Sequence, residues 1–255
     1  MAVALARPAG RSERKFWNGL NSSILAERIV PFQCYAGRVR NTEGPLSGRR
    51  RQAARNDVEI LDAAREVFLA DPTAPVAAVA ARAKVGISAL YRRYPSKEDL
   101  TRELARDGLT RYSEDLSRAL ADCGDPWTVY AECLARILDG GSQALAQRLA
   151  GTFTPTPDLT ELAQQAGALA TAVHSRAQRA GALRDDVSPE DVVLLLETLS
   201  AITLPGTDDG DALRQRYLAL LLQALRAPGA EPLPGRPAGP GEFAARWRPD
   251  TANQG

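Results

Sequence analysis

The chain has 255 residues, 44% of them hydrophobic, and a formal net charge of +1, so it can bury the core of one or two domains but cannot bind polyanions through bulk charge; any nucleic-acid affinity must come from a local patch. Three cysteines (Cys34, Cys123 and Cys133) without a CxxC spacing, together with a single histidine, exclude a zinc site; reduced thiols in a cytoplasm, with no metal and no cofactor, are the expectation. No uninterrupted apolar run reaches the about 18 residues of a membrane span, and the apolar part of MAVALARPAG is too short for a secretory signal, so no membrane partner is expected.

Alanine, leucine and arginine dominate, aromatics make up 5%, and alternating strand patterns are absent, which points to an all-α protein. Residues 1–48 are interrupted by Asn18, Gly19, Asn21, Pro31, Gly37, Gly44, Pro45 and Gly48 and read as a disordered extension. Arg49, Arg50, Arg51 and Arg55 follow directly; they read either as solvated residues or as a basic arm that reaches phosphates or a minor groove. A first helix is predicted from near Asn56, its cap, with Ile60, Leu61, Ala64, Val67 and Phe68 as the apolar stripe, ending at Ala70-Asp71-Pro72.

The stretch PVAAVAARAKVGISALYRRYPSK, Pro75 to Lys97, is the most informative. Pro75 suits a helix start, and Val76, Val79, Ala80 and Ala83 share one face of a short helix. Lys84-Val85-Gly86 is a tight turn, Gly86 an N-cap, and Ile87 to Tyr94 a second short helix with Leu90 and Tyr94 able to point inward; Pro95 ends it. This is a helix-turn-helix plan. The charged residues from Arg82 to Lys97 are Arg82, Lys84, Arg92, Arg93 and Lys97, with no acid among them and with Tyr91 and Tyr94 interleaved. Ser88, Ala89, Tyr91, Arg92 and Arg93 give the second helix a small N-terminal end followed by donors for phosphates and base edges. Ser96, with Asp99 as reciprocal partner, opens a long fourth helix, and its first turn with Lys97 reads as a phosphate clamp.

The ordered run Ala80-Ala81-Arg82-Ala83-Lys84-Val85, Ala89-Leu90-Tyr91-Arg92-Arg93-Tyr94, Pro95-Ser96-Lys97-Glu98-Asp99-Leu100 resembles the DNA-binding head of the TetR family of bacterial transcriptional repressors, without gaps. The resemblance covers roughly Arg49 to Leu120. Three departures stand out: Lys84 where glycine is usual, Ala89 where threonine is usual, and Tyr94 where phenylalanine is usual. The resemblance implies that Pro75, Lys84, Gly86, Ile87, Ser88, Ala89, Tyr91, Arg92, Arg93, Tyr94 and Lys97, with Arg51 from the arm, form the DNA-binding surface.

Beyond Asp122 the chain is a series of capped helices. Asp125-Pro126 opens helix 5, which Gly140-Gly141 ends; helix 6 follows from Ser142 to about Gly151. Asp158 caps helix 7, which runs to about Gly181; Ser188 opens helix 8, and helix 9 runs from Asp211 to Arg226. Helices 8 and 9 are apolar nearly all round, which predicts a two-fold dimer through a four-helix bundle with Val193, Leu195, Leu196, Leu199, Tyr217, Leu218, Leu221 and Leu225 at the interface, the alternative being a central core hairpin inside one subunit. The resemblance implies the same dimer, and a small-molecule pocket with Trp127, Tyr130, Leu134, Leu145, Phe153, Leu169, Val173 and His174 as candidate lining. The tail from Ala227, rich in proline and glycine, reads as disordered.

The expected organisation is therefore an extension (1–48), a three-helix head with its helix-turn-helix (49–95), a helical ligand-binding and dimerisation bundle (96–226) and a tail (227–255). The function expected is a repressor released from a palindromic double-stranded DNA operator by a small-molecule inducer. The alternative is a helical dimer or enzyme that handles small molecules without DNA. No Ser/His/Asp set or phosphate loop supports an enzyme, and that alternative leaves the Tyr/Arg helix unused.

Overall fold

The computed structural model describes residues 48–202, 210–227 and 231–239, without the side chains of 48–56, 142–144, 147 and 211. Among these residues the secondary structure is nine α-helices and one isolated bridge, Leu183 to Arg226. The helices are α1 (Gly48–Ala70), α2 (Val76–Arg82), α3 (Ile87–Arg93), α4 (Lys97–Ala121), α5 (Pro126–Asp139), α6 (Ser142–Leu149), α7 (Pro157–Arg179), α8 (Pro189–Ser200) and α9 (Gly210–Leu225). The chain is all-α, as the composition requires. The extension, up to residue 47, lies outside the described residues, as do Phe243 and Trp247.

The first helix starts earlier than its sequence suggests. Asn56 is an interior residue of α1, and Arg49, Arg50, Arg51 and Arg55 lie on the same helix rather than on an extended arm before it. Arginine is a good helix former, and that propensity favours extending the helix through this stretch.

Short helices need tertiary burial to persist, and the head supplies it. Ile60, Ala64 and Phe68 of α1 close over Val76, Val79 and Ala80 of α2, Leu90 of α3 and Leu100 and Leu104 of α4; Phe68, Val79, Leu90, Leu100 and Leu104 are fully buried. The turn between α2 and α3 is a Schellman closure. Val85 N–H donates to Ala80 O (3.0 Å) and Lys84 N–H to Ala81 O (3.2 Å). That closure puts Lys84 at φ 56°, in the left-handed region that favours glycine. The backbone thus explains the usual residue at this position, and Lys84 holds it under strain while presenting an exposed ammonium.

Helix α4 carries the architecture. Its 25 residues make a rod of about 37 Å. Ser96 caps it, accepting from Asp99 N–H (3.0 Å) and donating its hydroxyl to the Asp99 carboxylate (2.7 Å). Leu100 and Leu104 at one end belong to the head core. Leu116 and Ala119 at the other belong to a second core built with Val129, Tyr130, Cys133, Leu134, Ile137, Val173, Val192, Leu196 and Leu218. Leu145 and Leu149 of α6 pack into the head core, so a second element crosses the boundary between the two units.

The tail departs from the disorder expected of its composition. Ala227 N–H donates to Ala182 O (3.0 Å), Leu233 N–H to the Asp186 carboxylate (2.9 Å) and Ala238 N–H to the Asp191 carboxylate (2.8 Å), while Ser188 Oγ donates to Ala238 O (2.8 Å). Residues 231–239 therefore form a strap across the α7–α8 turn. Proline lowers the entropy cost of holding an extended segment, and the carboxylates of Asp186 and Asp191 accept its amides. Of the thiols, Cys133 is free and buried, and Cys34 lies outside the described residues.

Candidate nucleic-acid interface and effector cavity

The helix-turn-helix presents a definite outer face. Pro75, Lys84, Gly86, Ser88, Ala89, Arg92 and Arg93 are exposed; so are Ile87 (41%) and Tyr91 (46%), two large side chains that α3 leaves unburied because Leu90 alone points into the core. Lys84, Tyr91 and Arg92 make no hydrogen bond or ion pair among the described residues. Arg93 is partnered: its Nε donates to the Asp57 carboxylate at 3.0 Å, and that carboxylate holds the guanidinium above its ordinary value. The pair is solvated and weak, so a phosphate can replace Asp57.

Two predicted members of this surface sit elsewhere, and a third cannot be placed by its side chain. Tyr94 is 3% exposed and belongs to the head core. Lys97 is turned inward, donating to Pro72 O (3.0 Å) and Ala74 O (2.8 Å) with its ammonium 5.2 Å from the centre of the Phe68 ring. It braces the α1–α2 loop instead of opening outward as a clamp. Arg51 lies within α1, and its side chain is outside the described residues. For Tyr94 the head core sets the direction, and for Lys97 the carbonyls of the α1–α2 loop do.

The Tyr94 hydroxyl is buried without a hydrogen-bond partner among the described residues, and burial raises its pKa. An unpartnered buried hydroxyl costs about 1–3 kcal/mol. Tyr94→Phe is therefore expected to stabilise the head by about 1 kcal/mol, read as a higher denaturant midpoint at unchanged slope.

The second site is a cavity enclosed by α4, α5, α7 and α8. It is lined by Tyr112, Leu116, Tyr130, Cys133, Leu134, Ile137, Ala170, Val173, His174, Pro189, Val192, Val193 and Leu196, and its volume is about 30 Å³, room for a water or two. Of the residues predicted for the pocket, it brings together Tyr130, Leu134, Val173 and His174. Trp127 packs on the outside of the second core, near Arg226, whose guanidinium is 5.6 Å from the ring centre. Leu169 also packs on that core without lining the cavity. Phe153 and Leu145 join the head core, because α6 docks on α1 and α4. Tyr112 and Leu116 were missed. Their i, i+4 spacing was legible on α4, but which face of that helix meets the bundle was not.

His174 is 3% exposed and satisfied at both nitrogens: Nε2 is 2.9 Å from Val187 O and Nδ1 is 3.1 Å from the Tyr130 hydroxyl. A carbonyl accepts only, so Nε2 carries the proton and Nδ1 accepts from Tyr130 O–H. Burial pushes its pKa below the ordinary 6.5, against the raising effect of the Val187 bond. Above 6.5 the folded and unfolded chains are both neutral here and stability is full. As pH falls below that value the unfolded chain takes up a proton that the folded chain refuses, so stability falls until the lower folded value is reached. Thermal unfolding of wild type is expected to drop more steeply than that of His174→Gln as pH is lowered through this window.

With both sites in place, the relatives can be set beside them. Residues 60–104 match the family profile of bacterial regulatory proteins, tetR family, and residues 122–227 match that of the transcriptional regulator SbtR-like C-terminal domain. The two stretches together cover more than half of the chain. The chain belongs to the TetR family of bacterial regulatory proteins. Within the TetR family it is 42% identical over 80 residues to the HTH-type transcriptional repressor LfrR of Mycolicibacterium smegmatis, a match covering 31% of this chain and 38% of that relative. Two TetR-family structures share its fold over most of their length. LfrR from Mycobacterium smegmatis in complex with proflavine has a TM-score of 0.54 at 25% identity, covering 71% of this chain and 99% of that one. A TetR transcriptional regulator from Streptomyces coelicolor has a TM-score of 0.50 at 27% identity, covering 67% and 98%. No described helix is long and apolar enough to cross a membrane, and the described residues hold no group of three or more metal-ligating side chains.

Proposed function

We propose that this TetR-family chain is a cytoplasmic, dimeric DNA-binding regulator: a repressor that leaves a palindromic operator when a small molecule enters the cavity against α4. One observation carries the proposal. The same rigid helix that fixes α3 through Leu100 and Leu104 lines the cavity with Tyr112 and Leu116. A drug-sized ligand occupies hundreds of cubic ångströms, far more than the cavity holds, so it can enter only if the walls part. Ligand binding then favours a conformation in which α4 has moved and carried α3 with it, a population shift. The proflavine complex of LfrR supports a small-molecule effector.

Exposed Tyr91 and Arg92 contact phosphate and base edges, with Lys84 and an Arg93 freed from Asp57 beside them. Ile87, Ser88 and Ala89 lie at the groove end of α3. Leu195 on α8 and Tyr217 and Leu220 on α9, each more than a third exposed, are the apolar side chains offered to a second copy; of the other predicted members, Val193 lines the cavity and Leu199 and Leu221 pack on the subunit core. Leu196, Leu218 and Leu225, predicted for that interface, are instead core residues of the subunit at 1%, 2% and 3% exposure. Dimerisation would set two recognition helices about 34 Å apart, one turn of DNA.

Selection from random duplexes, followed by gel shifts, tests the reading. Recovery of an inverted repeat is expected. Tyr91→Ala and Arg92→Ala should each weaken binding about tenfold or more, with a salt dependence shallower by about one ion where a phosphate contact is lost. Failure to enrich any sequence would favour the small-molecule dimer without a DNA role.

A further inference from the structure

The lining of the cavity specifies the charge of its effector, an inference that rests on the regulatory reading above. Among the described residues no lysine, arginine, aspartate or glutamate lines it. The nearby carboxylates are engaged elsewhere. Asp115 pairs with Arg118 at 2.7 Å and Arg136 at 3.6 Å, and Asp191 accepts from Ser188 N–H and Ala238 N–H. Glu197, the buried acid of α8, is not among the lining residues. Three of the four polar groups that line the space are also committed: Tyr130 and His174 to each other, and the Cys133 thiol to Asp115 O at 3.7 Å. The Tyr112 hydroxyl alone makes no hydrogen bond among the described residues.

An ion moved into such a site loses its hydration and gains no counter-charge, which the rest of the pocket cannot offset. His174 supplies no positive charge at neutral pH, because burial holds it in its neutral form. A neutral body meets leucine, isoleucine, valine and three ring faces, and one oxygen or nitrogen on it can take the free phenol. We propose that the effector of this cavity is an uncharged molecule with an apolar, ring-sized body and a single hydrogen-bonding group held by Tyr112. A cation of the proflavine type, bound by LfrR, is disfavoured here.

Three probes with one ring and three charges test this on the full-length chain: benzyl alcohol, benzylammonium and benzoate. Binding is measured at neutral pH by calorimetry and by the rise in melting temperature, without DNA. Benzyl alcohol is expected to bind at least about tenfold more tightly than either ion. Tyr112→Phe should weaken benzyl alcohol about tenfold and leave toluene unchanged; equal losses for both would show that Tyr112 only shapes the wall, and would overturn its role. Tighter or equal binding of either ion overturns the charge assignment, as does the absence of any binding in the millimolar range. If benzylammonium wins and loses its advantage in Glu197→Gln, the counter-charge is Glu197 and the proposal is wrong. Benzyl alcohol that binds but leaves the operator complex intact upholds the chemical class and counts against the regulatory reading, so the two fail separately.

Discussion

Lys97→Met is expected to destabilise the head by about 2–3 kcal/mol while leaving the salt dependence of DNA binding unchanged. In the family motif this lysine opens the helix that follows the recognition helix, and from sequence it reads as a phosphate clamp. The structure turns it the other way. Its ammonium donates to two loop carbonyls, Pro72 O at 3.0 Å and Ala74 O at 2.8 Å, over the Phe68 ring. Hydrogen bonds from a charged donor are worth about 1.5–3 kcal/mol each, and removing the donor strands both acceptors in a half-buried loop. Methionine keeps the stem's contact with Phe68, so the loss isolates the charge. Thermal unfolding should show a drop of several degrees. A shallower salt slope at undiminished stability would mean instead that the side chain swings out to DNA.

Leu195→Arg is expected to leave a folded monomer and to weaken operator binding by about 100-fold or more. At 37% exposure, a guanidinium here is solvated in the single subunit. In a dimer sealed by this face it would be buried without a partner, at a cost of about 3–5 kcal/mol. Sedimentation velocity and gel shifts read the two effects separately. Leu196→Arg is the contrast. That neighbour is 1% exposed and lies in the cavity wall and core, so the same substitution should prevent folding altogether. A dimer persisting in Leu195→Arg would place the interface on another face.

The comparison of neighbours such as Leu195 and Leu196 shows where the amino-acid pattern stops being informative. Helix α8 is apolar nearly all round, so periodicity could announce two buried faces but could not say which one its own subunit covers. The same limit governs the cavity. Tyr130, Leu134, Val173 and His174 were legible as apolar and polar residues on amphipathic helices. Phe153 and Leu145 looked equivalent to them and belong to the head instead, because α6 and the loop after it pack onto the head core, which spacing along the chain does not encode. The tail misled for a related reason. Its composition lacks a core-forming pattern, yet Leu233 and Ala238 need only two backbone amides and two carboxylates on the α7–α8 turn to be held.

What the sequence determined unaided is local. Capping residues, a first-turn proline, helix-ending glycines and the ordered run from Ala80 to Leu100 set the number of helices, most of their ends and the helix-turn-helix, since each depends on contacts within a few residues. What only the tertiary structure decided is direction where spacing left it open: Lys97 turned inward onto Pro72 and Ala74, Leu196 inward and Leu195 outward on α8, and His174 locked between Tyr130 and Val187. A side chain's direction depends on which distant helix arrives to cover it, and spacing along the chain does not encode that.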